Sequence, residues 1–382
     1  MLIKNLHLTN FRNFSKTTFT FSPGINTIIA ANGSGKSNLI EAIGYFIEGS
    51  SWRAEREKEV LSWGQQTSRL QTPFSRLEAT MTPDDLENTQ KYAITLQLNE
   101  ETQRVKKEFF IEDQKKAAST VTAHLTGLIF SPESLDIVSG SPDQRRKFFD
   151  HLLSQISPSY NHHLTQYLKI LSNRNRLLKE MQKQPHPQIE HQLEFWNEKS
   201  LESGIFLIRT RQIITSKILP LFKEIGEKLL HKPFVINLLY TPSIPIHEFT
   251  EEKIKHAFQH YQNTYKEKEY AAGQTLKGPH RDNWEFTFDD HQMRTYGSRG
   301  QQRLMVIALY QASLELLATE KETKPLVLLD DVFSELDITH SVNLFSFLET
   351  KGFQTIITAC TDHPIPKTTN NPLNNIELTQ KD

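Results

Sequence analysis

The chain has 382 residues, 37% hydrophobic and 23% charged, which favours a globular protein with about two or three cores and excludes a disordered or collagen-like chain. Lys and Arg number 44 against 45 Asp and Glu, so nucleic-acid binding would have to depend on local charge. With no apolar run of ~18 residues, no signal-peptide pattern and a single cysteine, Cys360, we expect a cytoplasmic protein without membrane contact, disulfides or a thiolate zinc site.

Alternating apolar residues near the N-terminus predict two short strands, around Leu6–Leu8 and around Phe19–Phe21. The β-branched run Ile25–Ile29 leads into AANGSGKS, and apolar residues at helical spacing follow over Leu39–Phe46. This order predicts a strand, a glycine loop and a helix. A second strand-rich stretch, Tyr92–Ile111, places one sheet-containing lobe in roughly the first 115 residues.

The middle of the chain is predicted to be helical. Ser157 is placed as an N-cap with Pro158 at the first helical position, and apolar residues recur at helical spacing over 157–181. Two prolines then end this helix, and a second helical pattern covers Ile189–Pro220, with a shorter stretch to Leu230. The prediction is a helical arm of antiparallel segments.

The region after the arm is less regular. Three prolines in residues 232–250 predict a loop or an edge strand. Helical and glycine-marked segments then alternate up to a final predicted strand, Leu326–Leu329.

The segment from Ala30 to Ser37 matches the phosphate-loop pattern GxxxxGK[ST] except at its first position, where alanine replaces glycine. The loop glycines let successive N–H groups point at a β-phosphate, Lys36 reaches the β and γ oxygens, and the Ser37 hydroxyl binds magnesium. The following helix directs its positive end at the same anion. A plain glycine turn is the alternative. The predicted nucleotide-binding residues here are Ala30, Ala31, Asn32, Gly33, Ser34, Gly35, Lys36, Ser37 and Asn38.

The sequence PLVLLDDVFSELD supplies the acidic partner that a phosphate loop needs. Asp330 would hold magnesium directly or through water, and Asp331 would orient and partly deprotonate the attacking water. Lys36 and Asp331 are therefore the predicted catalytic residues. A hydrophobic strand capped by a solvated acidic turn is the alternative. Lys36 and Asp330 are separated by most of the chain, so a large insertion in the nucleotide-binding sheet is expected.

A second anion site is predicted at Ser298 and Gly300, which precede a helix in the segment YGSRGQQRLMVIALYQ. A helix N-terminus with a serine hydroxyl and free N–H groups binds anions, yet the phosphate loop already holds the nucleotide. The economical hypothesis is that this end serves a nucleotide held by another copy of the chain. A capped surface helix remains equally open.

These blocks resemble the ATP-binding cassette heads of chromosome-maintenance ATPases, and further blocks resemble the RecF family across nearly the whole chain. The further blocks are FRNF (11–14), NLIEAI (38–43), SWRAEREKEVLSWG (51–64), FSPESLDIVSGSPDQRRKFFD (130–150), SNRNRLLK (172–179) and GPHRDNWEF (278–286). The resemblance implies an α/β fold: an ABC-type P-loop ATPase head with a mixed-sheet lobe, an inserted α-helical second lobe and no long coiled coil. Ala30, Ser37 and Arg299 depart from the common family pattern.

By this resemblance, residues 1–118 and 321–382 form the nucleotide-binding lobe, and residues 119–320 form the helical lobe with its arm (155–230) and signature motif. ATP and Mg²⁺ are the implied cofactors, with ATP sandwiched against Ser298, Gly300 and Gln301 of a second copy in a homodimer. Arg12 resembles an arginine that contacts nucleotide, with a surface ion pair as the alternative. Thr361 takes the place of a γ-phosphate histidine, and His363 is an ordinary surface residue.

A local positive stripe is the basis of the DNA-binding prediction. Residues 145–183 carry eight cations against two anions, which predicts salt-sensitive binding to phosphates without base readout. A solvated helix face is the alternative, and Arg145 and Arg146 have a structural role in that interpretation. The candidate DNA contacts are Arg53, Arg56, Lys106, Lys107, Lys169, Arg174, Arg176 and Lys179.

The implied function is a weak, DNA-stimulated ATPase whose ATP-driven homodimer binds gaps or junctions of single- and double-stranded DNA and helps to load a recombinase. RecR and RecO are the implied protein partners, and hydrolysis acts as a release switch. Asp331 is one methylene shorter than the common glutamate, which predicts slow turnover. Two alternatives remain: a structural clamp without hydrolysis, and a cassette-headed nuclease, whose carboxylate-rich metal domain is not expected after Asp382.

Overall fold

The structure is a computed structural model that describes residues 1–62, 73–82, 88–230, 235–361, 365 and 374–378. The chain divides into a first unit, Met1–Ser134 with Leu314–Asp382, and a second unit, Leu135–Ser313. The first division therefore falls later than the predicted 118, because the strand Gly127–Phe130 pairs with Leu326–Asp330 in a sheet of the first unit. The second division falls earlier than the predicted 321.

An antiparallel sheet in the first unit is built, among the described residues, from six strands in the order β2-β1-β4-β5-β6-β7. Alternating side chains such as Leu6, Leu8 and Leu77 are fully buried on one face, as the alternating sequence pattern requires. The predicted strands near the N-terminus and over 92–111 are confirmed. Their bounds are β1 Leu2–Phe11, β2 Phe14–Thr20, β4 Phe74–Thr82, β5 Gln90–Asn99, β6 Arg104–Ile111 and β7 Gln114–Lys116.

A parallel sheet in the same unit contains five strands of the described ranges, in the order β14-β3-β13-β12-β8. Their carboxyl ends meet at one edge, where ligands bind in open parallel sheets. The last predicted strand ends at 329, and β13 is not predicted, because a short run buried on both faces has no alternating pattern. The bounds are β3 Ile25–Ile29, β8 Gly127–Phe130, β12 Leu326–Asp330, β13 Thr355–Ala359 and β14 Asn374–Asn375.

Among the described residues, the α-helices that lie wholly in the first unit are α1 (Lys36–Glu48), α2 (Ala118–His124) and α9 (Ile338–Lys351). Helix α1 is buried along most of its length, and its apolar residues share one core with residues of both sheets. The predicted strand, glycine loop and helix are therefore confirmed. The core holds the phosphate loop between two buried elements, β3 and α1.

The second unit is mainly helical and carries an antiparallel sheet of three described strands in the order β11-β10-β9. Ser157 caps α4 by accepting a hydrogen bond from the Tyr160 N–H at 3.2 Å, as predicted. The predicted loop or edge strand after the arm contains β9, which lies at the edge of this sheet. The bounds are α3 Pro142–Ile156, α4 Pro158–Lys183, α5 Pro187–Leu230, β9 Ile236–Thr241, α6 Glu251–Ala272, β10 Asn283–Phe288, β11 His291–Gln292, α7 Met293–Tyr296 and α8 Arg299–Lys321. The last turns of α8 belong to the first unit.

Helix α5 is continuous through Pro220, so the predicted break at that proline is wrong. An internal proline costs a helix about 3 kcal/mol. Its neighbours Ile218 and Phe222 are fully buried, and burying two such side chains contributes about 1.5–3 kcal/mol each, which offsets that cost. The arm is therefore a pair of helices, α4 and α5. None of the helices in the described ranges combines the length and apolar character of a membrane span.

A buried ionic network lies at the base of the arm. The guanidinium of Arg211 is 1% exposed and donates to Asp150 Oδ1 at 2.7 Å and Asp282 Oδ2 at 2.9 Å. It also donates to Tyr160 Oη at 2.9 Å and stacks over the Trp284 ring at 5.4 Å from the centroid. The network joins α3, α4, α5 and the segment before β10, and it fixes how these elements pack within the second unit.

Candidate functional site: a phosphate loop with two acidic residues

The phosphate loop connects β3 to α1. Gly33 and Gly35 have φ values of +83° and +98°, which a side chain would strain, so both glycines are required by the backbone. Ala30 donates its N–H to the Ala359 carbonyl at 3.3 Å and thus continues the sheet pattern. Its position needs no left-handed φ, which explains why alanine is tolerated where the motif has glycine.

Lys36 lies inside the loop and is 7% exposed. Its Nζ donates to the carbonyls of Ala30 at 2.6 Å and Ala31 at 2.9 Å. An ammonium has three donors and acts as a point charge for phosphate oxygens. The first turn of α1 adds N–H groups without a side-chain cap. The loop therefore concentrates positive potential where the pattern predicts a polyphosphate.

Asp330 and Ser37 lie together at the carboxyl edge of the parallel sheet. Ser37 Oγ donates to Asp330 Oδ1 at 3.0 Å, and Thr358 Oγ1 donates to the same oxygen at 2.7 Å. Burial raises the pKa of Asp330, although the hydrogen bonds from Thr358 and Ser37 and the charge of Arg53 act to lower it. Magnesium prefers such oxygen ligands and completes its shell with waters and phosphates, so the two predicted metal ligands fit the ion.

Asp331 follows in a left-handed conformation, with φ +52°. Its N–H donates to the carbonyl of Thr358 at 3.2 Å and to Thr358 Oγ1 at 3.0 Å. Its Oδ1 is buried and accepts no hydrogen bond from the described part of the chain. A buried acceptor left unpaired costs about 1–3 kcal/mol. This oxygen is therefore suited to accept a proton or a hydrogen bond from a water beside the metal ligands.

Arg12 lies in the turn between β1 and β2 and pairs with a buried carboxylate on α1. Its Nε and Nη2 donate to Glu41 at 2.9 and 2.7 Å, and its Nη1 donates to the Glu59 carbonyl at 2.8 Å. Glu41 is fully buried. Arg12 is thus in an ion pair, as the alternative predicted, but the pair is largely buried and does not lie at the surface as that alternative had it. A nucleotide contact by Arg12 stays a prediction.

Arg53 was predicted as a DNA contact but lies beside the phosphate-loop helix. Its Nη1 donates to Asn38 Oδ1 at 3.2 Å and lies 3.9 Å from Glu41 Oε2. Its charge also reaches Asp330, where it partly opposes the rise in pKa that burial causes. Sequence position alone could not reveal this, because Arg53 reaches α1 through a loop that carries no helical or strand pattern.

The signature end of α8 is exposed. Ser298 and Gln301 form reciprocal bonds: the Gln301 N–H donates to Ser298 Oγ at 3.3 Å, and the Ser298 N–H donates to Gln301 Oε1 at 2.8 Å. Gly300 is exposed, and a Cβ there would find its nearest neighbour, Ser298 Oγ, at 4.0 Å. The capped surface helix is thus present, and its N-terminus is open to a ligand.

One predicted DNA contact, Arg174, and another cation of the positive stripe, Arg145, are engaged within the protein. Arg174 is 5% exposed and donates to Glu269, Asn197 and Thr275, so burial rules out a phosphate contact and that prediction is wrong. Arg145, 4% exposed, likewise donates to Asn283 and to main-chain carbonyls, as the alternative interpretation held. The stripe over 145–183 is therefore weaker than its sequence suggests.

The other candidate DNA contacts differ in their ion pairing and solvent exposure. Lys107 pairs with Glu57 at 2.6 Å, Lys106 pairs with Glu108 at 2.9 Å, and Arg176 pairs with Glu180 at 2.9 Å. The Lys107 pair is half-buried. The exposed pairs of Lys106 and Arg176 contribute little to stability and exchange with water and phosphate. The exposed cations of the set are Arg53, Arg56, Lys106, Lys169, Arg176 and Lys179.

Two residues that the sequence patterns did not predict complete the site. Thr358 orients Asp330 through its hydroxyl, and Glu41 holds Arg12. A threonine at the end of a buried strand next to an acidic strand end is the signal that could have identified the first. Thr361, predicted at a γ-phosphate position, is exposed. His363 lies outside the described residues.

Comparison with protein families finds a match over residues 2–380 to the family model described as RecF/RecN/SMC N terminal domain. The chain is 34% identical over 352 residues to a DNA replication and repair protein RecF of Oceanobacillus iheyensis, covering 92% of this chain and 91% of that protein. It is also 34% identical to the RecF of Natranaerobius thermophilus, with 94% and 91% covered.

Solved structures agree with these relatives. A structure of the recombination mediator protein RecF of the RecFOR pathway, as RecF-ATPrS, superposes with a TM-score of 0.86 at 28% identity, covering 98% of this chain and 97% of that one. The RecF-ATP structure gives 0.82 at 28% identity, with 95% and 94% covered. A Pyrococcus furiosus Smc head domain gives 0.52 at 16% identity, with 94% and 90% covered, and bears on the fold alone. The predicted ABC-type ATPase head fold is confirmed.

Proposed function

The chain belongs to the RecF family, within the RecF/RecN/SMC N-terminal domains, and we propose that it is an ATP-dependent DNA-binding protein of recombinational repair. Membership makes it an ABC-type ATPase related to DNA replication and repair proteins. The proposal adds the finer steps: a homodimer that closes on ATP, binding at DNA gaps or junctions, and slow hydrolysis that releases it.

The proposal rests mainly on one observation. Lys36, the Ser37–Asp330 hydrogen bond and Asp331 Oδ1, which is unpaired among the described residues, lie together at the carboxyl edge of the parallel sheet. Lys36 would neutralise charge on the β and γ oxygens, and Ser37 with Asp330 would hold Mg²⁺. Mg²⁺ supplies charge neutralisation on the phosphates when bound. Asp331 would orient the attacking water and accept its proton, with Thr358 holding the strand end in place.

The exposed N-terminus of α8 supports the dimer. Ser298 and Gly300 are exposed at the positive end of α8, and Gln301 caps this end together with Ser298. A positive helix end with an exposed serine hydroxyl suits the phosphates of a nucleotide held by a second copy. ATP then links two chains. Loss of the γ-phosphate removes charge-assisted contacts that exist only in the closed dimer, so hydrolysis favours opening.

DNA binding is proposed from exposed cations in each unit: Arg56 and Lys106 in the first, and Lys169, Arg176 and Lys179 on α4. These are few per chain, and the net charge of the whole chain is −1. Two weak patches joined in one dimer would gain by effective concentration, so binding should depend on ATP. Solved relatives belong to the RecFOR pathway, which supports RecR and RecO as partners.

Molecular mass by light scattering, with Mg²⁺ and ATP, ADP or no nucleotide, tests the proposal. The unsubstituted chain is expected to dimerise with ATP, whereas Lys36→Ala and Ser298→Arg remain monomeric. Asn263→Arg places the same charge on an exposed face of α6 and is the matched control, which should dimerise normally. A monomer under every condition, with nucleotide bound, would overturn the ATP-linked dimer.

Phosphate release with and without gapped DNA separates the ATPase from a structural clamp that binds ATP without hydrolysis. The ATPase predicts slow release that DNA accelerates and that Asp331→Asn abolishes. Within the described ranges no three or more His, Cys, Asp or Glu side chains gather as a metal cluster. The nuclease alternative therefore gains no support from these residues, and strand cleavage by the purified chain would be needed to revive it.

A further inference from the structure

The turn between β1 and β2 places an asparagine side chain against the phosphate loop. Asn13 Nδ2 donates to the Ser34 carbonyl at 3.4 Å, and Asn13 Oδ1 accepts from Asn38 Nδ2 at 2.8 Å. Ser34 lies within the loop, and Asn38 lies in the first turn of α1. One amide group therefore bridges the loop and the helix that follows it.

The contact with the loop is close as well as polar. A Cβ built on Gly35 would lie 2.5 Å from Asn13 Nδ2 and 2.8 Å from Asn13 Oδ1. The Asn13 amide therefore packs directly on the Gly35 main chain. Glycine is therefore required at position 35 for two reasons: the φ of +98°, and the space that Asn13 occupies.

The turn that carries Asn13 is itself anchored. The preceding residue, Arg12, bonds to Glu41 on α1 through two nitrogens and donates its main-chain N–H to the Val60 carbonyl at 2.8 Å. On the far side, Asn38 accepts from Arg53 at 3.2 Å. Asn13 is therefore delivered to the loop by a turn with little freedom to move.

Within the loop, the Ser34 N–H donates to the Ala31 carbonyl at 3.4 Å, and Lys36 Nζ bonds to the Ala30 and Ala31 carbonyls before the glycine segment. Gly33 and Gly35 have the largest backbone freedom of any residue type, and Ser34 lies between them. Ser34 Oγ is buried and makes no hydrogen bond to the described residues. Because phosphate binding needs successive N–H groups to point the same way, such a loop depends on an external contact to keep its geometry.

We propose that Asn13 is a positioning residue that holds the Ser34–Gly35 segment in the conformation that binds nucleotide phosphates. The inference rests on the proposed function, since it assumes that the loop binds a nucleotide. Asn13 acts through the loop main chain. Its loss should weaken binding of ATP and ADP, while the fold of the hairpin and of α1 stays intact.

Nucleotide affinity of purified full-length variants tests the inference, measured with ATP and with ADP in the presence of Mg²⁺. Asn13→Ala removes both hydrogen bonds and the packing on Gly35, and its Kd is expected to rise about tenfold, because one or two modest hydrogen bonds are lost. Asn13→Asp keeps the shape and the acceptor for Asn38 but loses the donor to Ser34. It also adds a negative charge beside the phosphates, so its Kd should rise at least as much and depend on salt.

Asn5→Ala is the matched control. Asn5 lies on the same hairpin, and its Oδ1 accepts from Thr20 Oγ1 at 3.1 Å, away from the phosphate loop. Both alanine variants should show similar unfolding midpoints, whereas Asn13→Ala alone should lose affinity. A double-mutant cycle with Asn38→Ala should be non-additive, because Asn13 and Asn38 share one hydrogen bond.

The outcomes distinguish failure of the proposed function from failure of the inference about Asn13. If the unsubstituted chain binds no nucleotide, the proposed function and this inference both fail. If it binds and Asn13→Ala binds equally well, or Asn5→Ala loses as much affinity, this inference alone is overturned. If Asn13→Ala does not fold, the near-isosteric Asn13→Asp decides: native affinity in that variant would contradict the inference. Weakening that persists at high salt, where the added charge is screened, would support it, and weakening that high salt abolishes would contradict it.

Discussion

Replacing Arg174 by alanine removes the positive partner of a carboxylate that has no access to water. Glu269 is fully buried, and besides Arg174 it accepts bonds from Tyr261 Oη and from the Leu276 N–H at 2.9 Å. Arg174 also donates to Asn197 Oδ1 at 2.8 Å and Thr275 Oγ1 at 2.6 Å. The substitution therefore leaves a buried charge unpaired and several polar groups unsatisfied.

The expected loss is about 3–5 kcal/mol of unfolding free energy, the range for removing one partner of a buried ion pair. Arg176, two residues further on α4, is the matched control. It is 62% exposed at its side chain and pairs with Glu180 across one turn at 2.9 Å, so Arg176→Ala should cost about 0.3–0.5 kcal/mol. The same helix thus carries one arginine that stabilises the fold and one that faces solvent.

Urea unfolding followed by tryptophan fluorescence gives the stability of both variants, and fluorescence anisotropy at 25 °C gives their affinity for gapped DNA. We expect Arg174→Ala to lose stability while its folded fraction binds DNA normally. Arg176→Ala should keep nearly all of its stability and bind DNA more weakly. Adding Glu269→Gln to Arg174→Ala should recover part of the loss, because the unpaired charge is removed. Arg174→Ala losing less than about 1 kcal/mol, or weakening DNA binding more than Arg176→Ala does, would refute the reasoning.

Three further predictions concern rate, pH and salt. Asp331→Glu should raise the rate of phosphate release, because the longer side chain brings its oxygen closer to the attacking water; an unchanged or lower rate would contradict the length argument. Burial lowers the pKa of His280 to about 4 from its ordinary 6.5, helped by the charges of Arg281, Arg146 and Arg174. The folded chain thus keeps this ring neutral while the unfolded chain takes up a proton below 6.5, so stability falls by about 2–3 kcal/mol as pH drops from 6.5 to 4. In urea titrations at several pH values, His280→Gln should lack that part of the pH dependence of stability. A profile identical to that of the unsubstituted chain would show that His280 is not its cause. Lys179→Ala should weaken DNA binding equally for all sequences and lower the salt slope by about one unit, as measured by anisotropy at several salt concentrations; an unchanged slope would remove Lys179 from the interface.

The burial of Arg174 and the exposure of Arg176 could have been anticipated from residue spacing. Arg174 lies at helical spacing from the buried Ile170, Leu177 and Leu178, so its position on α4 coincides with the apolar face. The charge pattern, counted without regard to helical phase, included it among solvent-facing cations. Arg176 lies off that face and is exposed, which the same spacing predicts.

The motifs anticipated that Ser37 and Asp330 lie together, but other contacts between distant segments could not be anticipated. Arg12 meets Glu41, and Thr358 meets Asp330, only because the hairpin, α1 and the parallel strands pack at one edge. Nothing in the local sequence of Arg12 distinguishes a partner on α1 from a phosphate. Helix α5 likewise continues through Pro220 because its flanking residues are buried, which a local rule for proline does not include.

The amino-acid sequence by itself determined the phosphate loop, the acidic strand end, the helix that starts at Ser157 and the family to which the chain belongs. Each depends on residues adjacent in the chain, whose backbone preferences and chemistry act over a few positions. The tertiary structure alone decided which charges are paired inside the protein, which cations reach solvent and which side chains brace the loop. Burial and the pairing of buried charge depend on what the rest of the chain brings to each position, and local spacing records only part of that.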